Sequence, residues 1–315
     1  MISREKYREF CQKESSIPIF SQAWWLDAVC GKDNWSVILI EKGGKICASM
    51  PYYIKKKYGQ TIIKHPLLTQ TLGIYFKYPT GQKYSKKLSF EKDMINQIVD
   101  QLPKFDKFTK SFNYKITNLL PFHWREFSIN VDYTYTIESI SMEELEKTLE
   151  TNTRGRIRKA IKYGVEVYES DDIKKFYELN KMTFVRQQVD IPYSFEFINN
   201  LYQKCKEHNA CKIYFAKDSS GFVIACNFLI YDETKVYYLM GGIDPSKKDL
   251  GGMDIIQYES IKFALKNNKV FDFEGSMIES LEKYTRGFGA IQKPYFRVTK
   301  VNSKLLKLQE FLKER

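Results

Sequence analysis

The sequence predicts an α/β fold in two parts, on three observations. Residues 270–274 (VFDFE) alternate apolar and acidic side chains as a strand does, and Gly275-Ser276 then breaks the run. Residues 171–266 read as two helices, three strands separated by turns, a loop and another helix. Ser141 with Glu144 three positions on forms a capping box directly after the strand-like run 133–138. That helix start puts the change of domain near residue 140, giving expected domains 1–140 and 141–315, close-packed because no Pro/Gly/Ser linker separates them. At 315 residues and 43% hydrophobic, the chain has enough apolar surface for both cores.

In the first part, residues 3–13 and 21–30 read as short amphipathic helices, the second opened by Ser21 as N-cap. Residues 35–41 and 45–53 read as a hairpin turned by Gly43-Gly44. Lys55-Lys56-Lys57 at its end reads as a solvated strand edge, with phosphate contact as the alternative. A loop or strand spans 66–78, a polar helix runs from about 85 to 102 before Pro103, and 112–116 reads as a strand. The aromatic stretch 120–124 reads as a loop over the core or lining a pocket.

In the second part, residues 152–163 form the most basic helix, with Arg154, Arg158 and Lys162 on one face. That face is either solvated or a cradle for phosphates. Gly164 caps it, and a short strand follows at 165–168. Helices are expected over 171–187 and from Ser194 to 208, then strands over 211–217, 223–231 and 235–240. The loop 241–252, GGIDPSKKDLGG, runs straight into a helix at 253–266, so Lys247, Lys248, Gly251 and Gly252 stand where free N–H groups and the helix dipole favour an anion. An ordinary glycine turn is the competing reading. Past residue 290, an alternating run at 294–301 reads as a strand and 303–313 as an amphipathic helix docked as a terminal clamp, a membrane-surface role being the weaker alternative.

The formal charge of +12 favours an anionic partner, whether nucleic acid, nucleotide cofactor or membrane surface, unless the lysines serve only solubility. Six scattered cysteines without a CxxC pair read as reduced thiols of a cytoplasmic protein. No window approaches a membrane span, so contact with a membrane would be peripheral. Three scattered histidines give no metal-site spacing, and no metal is expected. GxSxG, P-loop and GxGxxG motifs are absent, which removes the commonest hydrolase, NTPase and dinucleotide-binding readings.

FDFEGS with KYTRGFGA and PYFRV, the run YTYTI at 133–137 and the basic helix ending in Gly164-Val165 together resemble the Fem aminoacyltransferases, which build peptidoglycan interpeptide bridges. The resemblance implies two tandem GNAT-like domains, each a mixed sheet flanked by helices; no internal repeat is legible in the residues themselves. It also implies an N-acyltransferase whose 241–252 loop holds the pyrophosphate of acyl-CoA as co-substrate. Lys248, Gly251 and Gly252 approximate that pattern without its usual arginine-rich spacing. The acceptor is then a small-molecule or lipid-linked primary amine, on a cell-envelope or polysaccharide precursor. A charged tRNA is the alternative donor, although no helix here is long enough for the coiled-coil arm of some relatives.

Acyl transfer to an amine needs a group to take the amine's proton, and Glu274 or Asp272 is the candidate. Tyr284, or Tyr237 or Tyr238, would protonate the leaving group; Lys283 and Arg286 would hold phosphate or an oxyanion; Asn227 would orient substrate. Two rival readings stand beside this one. Asp272 and Glu274 pair with Lys283 and Arg286 as structural salt bridges and Asn227 bonds a neighbouring backbone, or the whole chain is a non-catalytic shell that binds an anion.

Overall fold

The computed structural model describes residues 2–138, 140–275 and 277–313. The chain begins with helices α1 (Ile2–Lys13) and α2 (Ala23–Cys30), followed by strands β1 (Trp35–Lys42), β2 (Lys45–Lys57), β3 (Gln60–Lys64) and β4 (Tyr75–Phe76). Helix α3 (Tyr84–Asp100), strand β5 (Lys107–Phe112), the single turn α4 (Leu120–His123) and strand β6 (Ser128–Ile137) follow. Next come α5 (Met142–Thr148), α6 (Thr151–Lys162), β7 (Glu166–Glu169), α7 (Ile173–Arg186) and α8 (Phe195–Glu207). Strands β8 (Cys211–Lys217), β9 (Val223–Tyr231) and β10 (Lys235–Ile243) lead through a 3-10 turn at Pro245–Leu250 to α9 (Gly252–Lys266). The chain closes with β11 (Val270–Asp272), α10 (Glu279–Arg286), β12 (Ile291–Val301) and α11 (Lys304–Lys313).

Contacts divide the chain into one unit of Met1–Asp132 with Pro294–Arg315 and a second of Tyr133–Lys293. This differs from the expected boundary near 140, and the last residues return to the first unit because β12 pairs antiparallel with β5, Phe296 opposite Phe112 and Val301 opposite Lys107. The fold class is the expected one: two units, each a mixed sheet flanked by helices.

In the first unit the sheet order is β1-β2-β3-β5-β12, with β4 on β2, and β3 and β5 parallel. Its core gathers Met50, Ile63, Met94, Ile98, Phe108, Phe112, Phe122 and Val298. Several expected elements shift. Strand β5 lies before residue 112, not after it, and turns Phe108, Lys110 and Phe112 inward. The Lys110 ammonium is fully buried and donates to the Pro51 carbonyl. Ser21 belongs to a 3-10 turn, and α2 starts at Ala23 without a side-chain cap. Lys55-Lys56-Lys57 pairs with β3 on one side and runs past Tyr53, the last residue of β2 opposite β1, so its other side is an edge as read.

In the second unit the order is β6-β11-β10-β9-β8-β7; only β10–β11 is parallel. Side chains alternate between faces along each strand. Leu229, Val236 and Phe271 join Ile157 of α6 and Ile261 of α9 on one face. Phe228 packs edge-on against Phe176 of α7 and Tyr202 of α8 on the other. The capping box forms as read: Ser141 Oγ accepts from the Glu144 amide and the Glu144 carboxylate accepts from the Ser141 amide.

Gly275 fixes the exit from β11. Its φ is +69°, and a Cβ there would stand 2.1 Å from the Tyr133 carbonyl oxygen. Gly275→Ala is expected to cost about 2–3 kcal/mol, strain plus displaced backbone, read as a shift of the urea midpoint at unchanged slope.

Candidate active site

Strands β10 and β11 pair over only three residues each, Lys235–Tyr237 with Val270–Asp272. Beyond them β11 ends, while β10 continues beside β9 as far as Ile243, with a bulge at Leu239 between Tyr238 and Met240. A fork opens where the two strands part. A bulge bends its strand and leaves the extra residue without a ladder partner, a common arrangement beside reactive sites. Beyond β10 the chain turns through Pro245–Leu250 to Gly251, whose φ of 75° caps the turn, and enters α9. The first N–H groups of α9 have no intrahelical acceptor.

On the α9 face, polar groups converge around Gly241. This glycine lies opposite Asn227 in the ladder. A Cβ on it would meet the Tyr238 hydroxyl at 2.4 Å and Asn227 Oδ1 at 2.9 Å, so both atoms face the bare backbone. Asn227 is fully buried; its Nδ2 donates to Gln257 Oε1 at 3.0 Å and Ser260 Oγ at 3.3 Å, and Oδ1 has no partner. Arg156 Nε donates to Asp254 Oδ1 at 2.7 Å, and its guanidinium carbon lies 5.9 Å from the centre of the Tyr284 ring. The Tyr284 hydroxyl is buried with no partner. Burial first, then the charge of Asp254 and the neighbouring Tyr238, hold that phenol neutral well above its ordinary range. Burial also raises the Asp254 carboxyl, outweighing the pull of Arg156. These phenols are hydrogen-bond donors at neutral pH, with no tendency to ionise.

The opposite face carries the carboxylates. Asp272 is 4% exposed, and its Oδ2 lies 3.0 Å from the Lys235 ammonium. Its Oδ1 accepts from Thr134 Oγ1 at 2.6 Å and from the Glu274 amide at 3.0 Å. Glu274 has left the strand with φ +60°; its Oε1 is closed off from solvent and makes no hydrogen bond. Burial, then the charge of Asp272, push the Glu274 carboxyl well above the ordinary carboxylate range against the opposing pull of Lys235. That direction favours the protonated carboxyl over the carboxylate. The base role expected of it needs that proton gone first. Tyr237, beside Asp272, is held neutral by burial and by Asp232, Asp272 and Glu274.

The remaining site candidates are dispersed. Arg286 pairs with Glu150 at 2.7 Å and Glu282 at 3.0 Å, and Lys283 is exposed on the same helix. The structural pairing expected of Asp272 thus runs to Lys235 instead. Arg154 Nη2 donates to the carbonyls of Glu146 and Leu149, closing the end of α5, and Arg158 is exposed. Lys247 pairs with Asp218 at 3.4 Å, whereas Lys248 is exposed on the turn. Gly252 allows α9 to approach the sheet, since a Cβ there would stand 2.9 Å from Ile224 Cδ1. Asn227 bonds side chains of α9, not backbone. Ser276 lies outside the described residues. Sequence reasoning missed Arg156, Asp254 and Lys235. Asp254 carried a signal as the only acidic residue in the first turn of a helix that opens on glycine.

A fork between parallel strands, a bulged strand before it and a glycine turn into a helix behind it define a GNAT domain. Residues 149–279 match the family described as acetyltransferase (GNAT) domain, and the enzyme is of the GNAT acyltransferase type. Its fold as a whole is Fem-like. The crystal structure of FemX superposes with a TM-score of 0.70 at 15% identity, over 94% of this chain and 96% of that one. The structure of L-PGS from Bacillus licheniformis superposes with a TM-score of 0.57 at 8% identity, over 98% and 95%. The C-terminal domain of a putative lysylphosphatidylglycerol synthetase from Agrobacterium fabrum gives 0.57 at 10%, over 94% and 92%. No curated protein matches the chain in sequence.

Proposed function

We propose that the second unit transfers an acyl group from an acyl thioester to a primary amine at the fork between β10 and β11. The fork carries this reading. The strands part between the phenol and amide cluster on the α9 face and the Glu274–Asp272 group on the other. The neutral amine attacks the carbonyl carbon, a C–N bond forms, the C–S bond breaks, and the attacking nitrogen sheds its proton to solvent. Glu274, protonated at rest, donates to the departing thiolate; Tyr284 and Asn227 are the polar atoms left for donor and acceptor. Lys248 and the free N–H groups of α9 take the phosphates of coenzyme A.

A second reading is favoured by one feature. Asp254 places a carboxylate in the first turn of α9, and Lys247 is already paired, so the phosphate cradle is weaker than a pyrophosphate wants. A donor whose phosphates bind elsewhere, an aminoacyl ester on tRNA, fits that arrangement, and one fold neighbour is by name the C-terminal domain of a putative lysylphosphatidylglycerol synthetase.

Titration with coenzyme A and acetyl-coenzyme A separates the two. On the thioester reading the protein binds at micromolar levels, Lys248→Ala weakens binding, and Asp254→Asn tightens it by about two- to fivefold, the worth of one charge at a helix N-terminus. Absence of binding in both the wild type and Asp254→Asn overturns that reading, and RNase-sensitive transfer from charged tRNA then establishes the other.

A further inference from the structure

We propose that the first unit carries a docking surface for an anionic lipid bilayer, made of the outer face of α11 and the lysine-tipped β2–β3 hairpin. Helix α11 presents an apolar face outward. Leu305, Leu308, Phe311 and Leu312 are each more than half exposed. At 100° per residue these four fall within about one third of the helix circumference, while Leu306 turns the other way and is half-buried. By the same count Lys304 falls just inside one edge of the arc and Lys307 about 40° beyond that edge. Four large apolar side chains on one helix face, with lysines along one edge, form an interfacial helix rather than a spanning one. Among the described residues no helix is long and apolar enough to cross a membrane.

The hairpin stands beside the start of this helix. The Asp106 carbonyl accepts from the amides of Asn302 and Ser303 at 2.8 and 3.2 Å, and Asp106 Oδ2 accepts from the Thr61 amide at 2.8 Å. Gln60 Nε2 reaches Ser303 Oγ at 3.4 Å. The turn is Tyr58-Gly59, both at positive φ, and Tyr58 is 91% exposed under the Lys57 ammonium at 5.2 Å. Lys55, Lys56, Lys57 and Lys64 form no ion pair among the described residues. Burial and then the neighbouring charges of Lys55 and Lys57 lower the Lys64 amine, the mark of cations crowded without a counter-ion.

An anionic bilayer satisfies both halves of this patch. Its headgroups neutralise the lysines, its acyl boundary takes the leucines, and a tyrosine at the rim suits the interface. A second copy of the chain meeting the patch about a twofold axis would bring two copies of the same lysine cluster into one interface, which like charges oppose. A nucleic acid would leave the leucines in water.

Flotation of the full chain with phosphatidylcholine vesicles, with and without about one third phosphatidylglycerol, tests the proposal. Binding is expected to the anionic vesicles and to fall as salt rises. The triple variant Lys55→Gln/Lys56→Gln/Lys57→Gln should lose on the order of a hundredfold in partitioning, about fivefold per lysine. The variant Leu305→Ser/Leu308→Ser/Leu312→Ser, altered only at exposed positions and checked for an unchanged melting temperature, should not float. Absence of flotation with anionic vesicles at low salt overturns the proposal, as does equal binding to both vesicle types unaffected by the lysine variant. A concentration-dependent dimer that the leucine variant abolishes also overturns it, assigning the patch to a second copy.

Discussion

Asp272→Ala should cost about 3–5 kcal/mol of unfolding free energy, the penalty for breaking a buried ion pair from one side. Two losses combine. The Lys235 ammonium, 3% exposed, is left without its carboxylate, and the Thr134 hydroxyl and Glu274 amide lose their acceptor. Lys235→Met should cost less, because Asp272 keeps those two hydrogen bonds, and the double variant Lys235→Met/Asp272→Ala should cost less than the sum of the singles. Urea denaturation of the four proteins reads the coupling directly. A loss below about 1 kcal/mol for Asp272→Ala, the range of an exposed pair, would show that water reaches this carboxylate and would return Asp272 to the list of proton-transfer candidates. As the structure stands, Asp272 accepts from the Glu274 amide, and its charge adds to burial in raising the Glu274 carboxyl.

The legible parts of this fold were those set by short-range chemistry. Gly43-Gly44 turned the first hairpin, Ser141 with Glu144 started α5, Ser194 started α8, and each did so through contacts within four residues. Failures came where a distant partner decides. Strand β5 reads Lys-Phe-Thr-Lys-Ser-Phe, and no local rule says that Lys110 turns inward to the Pro51 carbonyl. The amphipathic pattern of α11 was plain, but amphipathy alone cannot say whether an apolar face meets protein. The site divides in the same way. Asn227 stands out as a lone amide in an apolar run, Asp272 and Glu274 as carboxylates at a strand end before Gly275, and Tyr284 as a phenol between Lys283 and Arg286. Their partners Lys235, Arg156 and Asp254 sit 37, 128 and 30 positions away from Asp272, Tyr284 and Tyr284, visible only after folding. The fold then separates what the sequence had grouped: α10 packs Tyr284 against the core on the α9 face, while alternation along β11 turns Asp272 to the other.

Glu274→Gln should lower turnover by about 10²–10⁴-fold, the usual contribution of a positioned proton-transfer group. The same substitution should stabilise the protein at neutral pH. Folding raises the Glu274 pKa, so the folded state holds a proton that the unfolded chain releases between the ordinary carboxylate range and the raised value. The stability tied to that proton is fully present below the ordinary range and is lost as pH rises through the folded value. Gln keeps the shape and stays neutral throughout. Its melting temperature should match the wild type at acid pH and exceed it increasingly as pH rises. Rate profiles then assign the direction of transfer. If Glu274 gives its proton to the leaving group, wild-type turnover falls as pH rises through the raised pKa; if it takes the amine's proton, turnover climbs over the same interval. Either limb should vanish in Glu274→Gln. Unchanged turnover would remove Glu274 from the chemistry, and a Gln variant less stable than wild type at every pH would mean that the carboxylate is paired when folded. A residue that weakens the fold at neutral pH while raising its own pKa is what a proton-transfer role predicts, since no structural role for Oε1 is on view: it has no partner to hold.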